Sequence, residues 1–391
     1  MIRTLATLSV AMVLLAGCSG TATDNASKPT ADSADERPTA VPVTDVDPTL
    51  RDVAASIDTV TYVSRSGVND GGTHVSAVVL VPKSTPPVDG FPIAALGHPV
   101  TGITPDCAPS QSPTLLGLAP TVATLLRAGY VVAVPDYQGL GKPAVTDDDY
   151  NHYYPYLDST TAGYNMIDAA RATHTMVPQS STSWAALGVR EGGQAAWAAN
   201  ELADGYGWGM KLVGVASISP ISDVMGLADA AQAGTLSDGQ KVVFARYLAA
   251  MHREYQYDVE LDDFRRGTAQ QQWDALMGCR SDKPEVIAST IAPADLKPSG
   301  PEALSTLRGY LRKTNLPQGP ALAPMLVSYN TADQVPPFEW TDRALAAACK
   351  MADTITIQQR PDPQADLTTA LAWINDRFKS VPATNDCAGR T

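Results

Sequence analysis

The amino-acid sequence predicts an α/β fold: a mostly parallel central sheet, helices on both of its faces, and an inserted helical cap. First, strand-like and helix-like segments alternate along the chain after a leading hairpin, as in parallel sheets with crossover helices. Second, an apolar strand, a Gly-rich turn and an Ala-rich helix follow one another over residues 183–200. Third, about a hundred residues separate the strand-like segments that begin at Leu212 and Met325, too many for one crossover connection.

The first half of the chain supplies the hairpin and the first parallel strands. Two β-rich segments flank the polar, Gly-rich residues 67–72, a pattern typical of a hairpin. A helical pattern that ends at Gly129 leads into a fully apolar strand. The predicted strands are Ile57–Ser66, Thr73–Val81, Pro92–Leu96 and Tyr130–Pro135, and the predicted helices are Leu115–Ala128 and Gly163–His174.

The second half continues the alternation and contains the insertion. Helix-like stretches at Ser237–Met251, Val259–Met277 and Pro301–Leu311 predict a helical cap over about residues 220–320. The other predicted elements are the strands Trp184–Val189, Leu212–Ile218, Met325–Tyr329 and Thr354–Gln358, and the helices Gln194–Asp204 and Leu367–Phe378.

The N-terminus reads as an export signal. One positive charge and an apolar run too short to span a bilayer predict a signal peptide over residues 1–17. Cys18 directly follows Leu-Ala-Gly, which is similar to a bacterial lipobox, so we expect a lipidated Cys18 and a membrane-anchored, extracytoplasmic protein. An ordinary signal peptide with an incidental Cys18 is the alternative. Residues 18–48 are polar and Pro-rich and predict a disordered tether, and residues 49–391 predict the folded domain.

Composition limits the classes of binding partner and the covalent and metal chemistry that we expect of the cysteines. The chain has 28 basic and 41 acidic residues and a formal net charge of −13, which disfavours binding to nucleic acid and electrostatic docking on anionic lipid. Four cysteines remain after Cys18, and in an exported chain they favour two disulfides with three possible pairings. CxxC and HxxxH spacings are missing from the sequence, so we expect no metal and no cofactor.

The Gly-rich turn carries the most informative residue. Gly188-Val189-Arg190-Glu191-Gly192 matches the G-x-S-x-G strand–turn–helix of a nucleophile elbow, except that Arg190 stands in the position of the nucleophilic Ser. A guanidinium stays protonated at working pH and cannot attack a carbonyl. The setting of a serine hydrolase is therefore present without its nucleophile.

Several motifs agree in order and spacing with one family. They lie at residues 107–110, 129–141, 164–172, 184–188, 192–196 and 373–378. On these motifs the chain resembles the secretory lipases, α/β-hydrolases similar to fungal lipase A and to actinobacterial exported lipases. The resemblance covers roughly Ile57 to Phe378. It implies an α/β-hydrolase fold and a family activity of carboxylic-ester hydrolysis by a Ser-Asp-His triad.

Only one triad member is retained. Asp333, in the stretch Asp333-Gln334-Val335-Pro336, matches the family's Asp-x-x-Pro and is the expected acid. The base should follow the acid in the chain, yet no His occurs after His252, and the 359–366 loop where it would lie has none. Since triad members act as a unit, the loss of Ser and His predicts an inactive site.

The resemblance also places the oxyanion site and the disulfides. Residues 97–102 resemble the family's His-Gly-Thr-Thr-Gly loop, so the oxyanion donors should be the N–H of Glu191 and the loop near Thr101. The Glu191 carboxylate would oppose the developing charge unless Arg190 pairs with it. The family favours a Cys107–Cys279 disulfide, and the C-terminal location of the other two cysteines favours Cys349–Cys387.

Three functional interpretations follow. The first is a non-catalytic pseudo-lipase, in which Arg190 either forms a salt-bridged plug with Asp333 or binds the carboxylate or phosphate of a lipid, fatty-acid or ester ligand under the cap. The second is an active, triacylglycerol lipase-like carboxylic-ester hydrolase with a non-standard site, for which Glu191 as a nucleophilic carboxylate is disfavoured by its place beyond the apex. The third is an envelope scaffold that binds a protein partner.

Overall fold

The computed structural model describes residues 37–143, 152–361 and 367–390. Within these ranges, nine strands form one sheet in the order β1-β2-β3-β5-β4-β6-β7-β8-β9. The strands are β1 Thr39–Pro42, β2 Ala54–Arg65, β3 Gly72–Pro82, β4 Phe91–Gly97, β5 Val131–Pro135, β6 Ser180–Val189, β7 Lys211–Ile218, β8 Met325–Asn330 and β9 Ile355–Arg360. The pairings β1–β2, β2–β3 and β3–β5 are antiparallel, and those from β5 through β4 to β9 are parallel. The predicted α/β-hydrolase architecture is confirmed.

Helices cover both faces of the sheet, which buries the central strands on both sides, as parallel sheets require. One face carries α3 and α4, which pack on each other and on β4, β6 and β7, and the other carries α2 and α12. The helices are α1 Pro48–Val53, α2 Ala119–Arg127, α3 Ser159–Met176, α4 Glu191–Tyr206, α5 Gly226–Ala233, α6 Asp238–Glu254, α7 Gly267–Gln271, α8 Trp273–Met277, α9 Pro284–Ala288, α10 Pro301–Thr314, α11 Phe338–Lys350 and α12 Leu367–Phe378.

Two predicted helices are shorter or divided. The helix expected over Leu115–Ala128 begins at Ala119, because Leu115 and Leu116 have left-handed φ angles of 52° and 54°, which a helix does not accept. The helix expected over Val259–Met277 is a 3-10 turn followed by α7 and α8. Asp295 accepts the Thr268 N–H at 2.9 Å, so a side chain from outside the segment satisfies the start of α7.

The N-terminal predictions divide between described and undescribed residues. The signal peptide, Cys18 and most of the predicted tether lie outside the described residues. The prediction of a tether as far as residue 48 is wrong at its end. Thr39–Pro42 pairs with β2 as an edge strand, and Asp47 caps α1 through the Thr49 N–H at 2.8 Å. Backbone pairing therefore orders a stretch too polar to have been predicted from hydrophobicity.

The cap connects β7 to β8 and contains α5 to α10. Its longest helix, α6, begins with a capping box in which Ser237 and Gln240 bond each other's backbone N–H. The disulfide Cys107–Cys279 joins the cap to the segment after β4. A second disulfide, Cys349–Cys387, joins α11 to the C-terminal segment. Both pairs are those favoured from the sequence.

The C-terminal segment lies along the outer edge of β9. The Asp386 N–H donates to the Ile355 carbonyl at 2.8 Å, and the Asp386 carboxylate accepts the Ile357 N–H at 2.8 Å. Cys387 holds this segment to α11 through its disulfide. Outward-facing backbone groups of the edge strand are thereby satisfied within the chain.

None of the helices in the described part of the chain has the length and apolar character needed to cross a membrane.

Candidate active site

Arg190 occupies the apex of a sharp turn between β6 and α4. Its φ of 57° and ψ of −112° are strained for a residue with a Cβ, as at the apex of a nucleophile elbow. The turn is held by three backbone hydrogen bonds: the Arg190 N–H donates to Ile218 O at 2.8 Å, and Arg190 O accepts the N–H groups of Gln194 and Ile221 at 2.9 and 3.2 Å. The strand–turn–helix that the sequence predicts is thus formed around Arg190.

Glycines permit the elbow to pack against its neighbours. A Cβ on Gly192 would lie 2.1 Å from the carbonyl oxygen of Gly97, at the end of β4. A Cβ on Gly188 would lie 2.3 Å from the backbone of Gly192. Both distances are far below a contact that real atoms adopt, so the pattern needs Gly at these positions for steric reasons. The same approach brings the 97–102 loop beside the first turn of α4.

The Arg190 side chain reaches the predicted acid. Its Nη2 lies 3.4 Å from Asp333 Oδ1, and its Nη1 donates to the carbonyl oxygen of Val335. The other carboxylate oxygen of Asp333 accepts the Ser219 hydroxyl at 2.7 Å. The Asp333 side chain is 7% exposed, whereas that of Arg190 is 37% exposed. Arg190 and Asp333, placed here from sequence alone, are therefore direct partners.

His98, His174 and His252 each contact a nearby backbone carbonyl or hydroxyl group. His98 is fully buried, and its ring nitrogens face the carbonyl oxygens of Pro99 and Asp136 at 2.8 and 3.2 Å. Burial lowers the pKa of His98 to about 4. His174 Nδ1 lies 3.2 Å from Ser180 Oγ, and His252 Nδ1 lies 2.7 Å from Val259 O. Residues 362–366, in the loop where a triad base would be expected, lie outside the described residues.

Glu191 is the first residue of α4, and its side chain turns away from Arg190. It is 2% exposed and accepts a hydrogen bond from the Tyr154 hydroxyl through Oε1. Its Oε2 is buried without a hydrogen-bond partner among the described residues. Burial raises the pKa of Glu191 to about 7. The suggested Arg190–Glu191 pairing is wrong, because Asp333 and Val335 hold the guanidinium on the other side of the elbow.

Thr101 lies in the loop beside the elbow and is tied to the cap. The residue is 5% exposed, and its carbonyl accepts the Arg280 N–H at 2.7 Å. Its hydroxyl has no hydrogen-bond partner among the residues that the structure describes. The adjacent Gly102, at φ +142°, lies against Cys107, whose disulfide reaches Cys279 of the cap. The predicted oxyanion loop is therefore fixed to the cap as well as to the sheet.

The family model described as "Secretory lipase" matches residues 111–279, a segment that includes the elbow and is somewhat less than half of the chain. Over this segment the chain is similar to the secretory lipases. No curated protein matches the sequence.

Solved structures match this chain in fold over most of its length. Candida antarctica lipase A in its closed state has a TM-score of 0.69 at 16% identity, covering 89% of this chain and 83% of that chain. A putative hydrolase from Legionella pneumophila has a TM-score of 0.67 at 17% identity, covering 88% and 96%. The rice cell wall degrading esterase LipA from Xanthomonas oryzae has a TM-score of 0.65 at 19% identity, covering 88% and 95%.

Sequence reasoning missed three contributors to this site. Ser219 binds the acid, the Val335 carbonyl accepts from Arg190, and Tyr154 binds Glu191. Each belongs to a loop or strand end distant in the chain, and no local pattern marks it. Over the described ranges, no group of three or more His, Cys, Asp or Glu side chains is arranged to hold a metal ion.

Proposed function

We propose that this chain is an exported, non-catalytic member of the secretory lipases, in which an ion pair between Arg190 and Asp333 replaces the catalytic triad. The observation that carries the proposal is the place of Arg190. It stands at the elbow apex, and its guanidinium binds Asp333 and the Val335 carbonyl. In a triad the acid is reached through a His that takes the nucleophile's proton. Here a permanently protonated group reaches the acid directly.

The nearest hydroxyl does not restore the chemistry. Ser219 donates its hydrogen bond directly to the carboxylate of Asp333 at 2.7 Å, whereas in a triad the proton of the nucleophile is taken by a His that the acid orients. Arg190 contacts the same carboxylate. Ser219 therefore contacts the acid without the base that a triad places between them.

A ligand role is compatible with the same geometry. A guanidinium has five N–H donors. In Arg190, Nη1 donates to the Val335 carbonyl and Nη2 donates to Asp333 Oδ1. Because the side chain is 37% exposed, donors remain for the carboxylate or phosphate of a lipid or fatty acid under the cap. We infer this ligand class from the positive charge of Arg190 and from the ester substrates of the family.

Export is supported by the two disulfides and by the family. We further propose that residues 1–17 are a lipoprotein signal peptide and that Cys18 carries the membrane anchor. In a bacterial host, Cys18→Ser should move the protein from the membrane fraction to the soluble extracytoplasmic fraction. Retention of the variant in the membrane would refute the anchor and leave the non-catalytic site untouched.

Hydrolysis of short- and medium-chain nitrophenyl esters tests the main proposal. We expect the parent and Arg190→Ser to remain at the buffer rate, because neither has a base. Combining Arg190→Ser with a His placed in turn at positions 362 to 366 should restore hydrolysis in at least one variant, and Asp333→Ala should abolish it again. Parent hydrolysis above background that survives Asp333→Ala and Glu191→Gln would instead support an active ester hydrolase with different chemistry.

Binding of a fluorescent dodecanoic acid and of its methyl ester tests the ligand role. Arg190→Ala should weaken binding of the acid more than that of the ester, because only the acid offers a carboxylate. Arg343→Ala is a matched control, since Arg343 is a half-exposed Arg paired with Asp223 at 2.7 Å. Equal affinities of the parent and Arg190→Ala would show that Arg190 pairs with Asp333 and does not bind the ligand.

A further inference from the structure

Glu191 is a buried carboxyl group that the proposed function does not use. It lies at the start of α4, directly beside the elbow apex, and is 2% exposed. Tyr154 donates to one of its oxygens, while the other has no hydrogen-bond partner in the described part of the chain. A buried, ionised carboxylate with an unsatisfied oxygen is unfavourable, whereas the protonated group is far less so.

The groups around Glu191 come from three other parts of the fold. Tyr137 follows β5, Tyr154 and Tyr156 precede α3, and Arg246 lies on the cap helix α6. The hydroxyls of Tyr137 and Tyr156 are buried, and neither has a hydrogen-bond partner within the described residues. Arg246 is the cation in this set, and it acts on Glu191 without a salt bridge between them.

Arg246 is committed to the cap. It is 3% exposed, and its Nε and Nη2 donate to the carbonyl oxygens of Leu276 and Gly278 at 2.9 and 2.6 Å. Those carbonyls lie immediately before Cys279, which is bonded to Cys107. Arg246 is therefore bound to the backbone of the cap.

We propose that Glu191 is a proton-dependent lock that holds the Tyr154–Tyr156 segment against the elbow. The protonated group keeps this segment seated on the start of α4. Ionisation favours a state in which the segment lifts and water reaches the carboxylate. The proposal concerns the movement of this segment and holds whether or not the site is catalytic.

The direction of the pH effect follows from linkage. Burial raises the pKa of Glu191 to about 7 in the closed state, whereas a solvated Glu titrates near pH 4.3. Between these values the closed state holds the proton and the open state does not. The opening equilibrium should therefore rise by about tenfold per pH unit through this window and level off above pH 7.

Hydrogen–deuterium exchange of the full chain tests the lock at pH 5, 6, 7 and 8, after correction for the intrinsic exchange rates. In the parent, we expect peptides covering 153–158 to lose protection by about tenfold per pH unit up to pH 7. In Glu191→Gln, which has similar size and does not titrate, these peptides should lose that dependence. Burial also raises the pKa values of Asp158, in this segment, and of Glu254, on α6, so Asp158→Asn and Glu254→Gln are the matched controls, in which the dependence should remain. Parallel pH profiles in the parent and Glu191→Gln would overturn the proposal.

Tyr154→Phe provides a second readout that does not depend on replacing Glu191. The Tyr154 hydroxyl lowers the pKa of Glu191 by bonding its ionised form. Removal of this hydroxyl should raise the pH at which the opening equilibrium stops increasing. Below that pH, the tenfold increase per pH unit should remain. An unchanged levelling-off point would show that Glu191 does not control the opening.

Discussion

The guanidinium of Arg190 lies 3.4 Å from the carboxylate of Asp333. In a hydrolase of this fold a His lies between the residue at the apex and the acid. Arg190 is long enough to make the contact itself, and it adds a bond to the Val335 carbonyl. Arg190 thus contacts Asp333 directly, without a His between them.

The Arg190–Asp333 pair should contribute little to stability. A double-mutant cycle of Arg190→Met and Asp333→Asn in urea unfolding should give a coupling energy below about 1 kcal/mol, because Arg190 is 37% exposed and the pair is screened by water. Asp333 also keeps the Ser219 hydroxyl in the Arg190 variant. A coupling of about 3 kcal/mol or more would mean that the pair behaves as a desolvated ion pair.

The elbow should tolerate no side chain at Gly192. Gly192→Ala should destabilise the fold by about 3 kcal/mol or more, because the new Cβ would lie 2.1 Å from Gly97 O. Gly205→Ala, in the same helix, is the matched control. A Cβ there meets nothing within 4 Å and should stabilise the helix by about 0.5–1 kcal/mol. Similar melting temperatures for the two variants would contradict the close packing of the elbow.

Asp136 should make stability fall as pH rises. Burial raises its pKa to about 6, against the hydrogen bonds from Ser76 and Ser110. The folded state therefore binds the proton more tightly than the unfolded state between about pH 4 and pH 6. The free energy of unfolding of the parent relative to Asp136→Asn should drop by roughly 2–3 kcal/mol across this window and stay constant above it. An equal pH dependence of both proteins would show that Asp136 does not titrate there.

The two disulfides should differ in their effect. Cys107–Cys279 joins residues 172 apart in sequence, and Cys349–Cys387 joins residues 38 apart. The chain-entropy model assigns the longer loop about 1 kcal/mol more stabilisation. Replacing Cys107 and Cys279 by Ser should therefore destabilise the fold more than replacing the other pair, and limited proteolysis should then cut first within the cap. Preferential cutting near α11 in that variant would contradict this expectation.

The sequence predicted the features that short-range patterns encode. The elbow, its two glycines and the acid at Asp333 were found because turn residues, apolar strands and family motifs lie next to one another in the chain. The hydrogen bond between Glu191 and Tyr154 was not found, because the two residues lie 37 positions apart in the chain. Side-chain direction at the elbow decides that Arg190 binds Asp333 and that Glu191 binds Tyr154. No local pattern contains that information.

The backbone of the elbow is formed although an Arg stands at its apex. Arg190 still adopts a φ of 57°, a conformation that disfavours any residue with a Cβ. In an enzyme this conformation exposes the nucleophile, but the close contacts of Gly188, Gly192 and Gly97 impose it whether or not a nucleophile is present.

The C-terminal segment that lies along β9 has a consequence for association between molecules. An exposed edge strand can pair with an edge strand of another copy and so start aggregation. The bonds of Asp386 to Ile355 and Ile357, held in place by the Cys349–Cys387 disulfide, block that pairing at this border. Reduction of this disulfide would remove the covalent bond that keeps the C-terminal segment on the β9 edge.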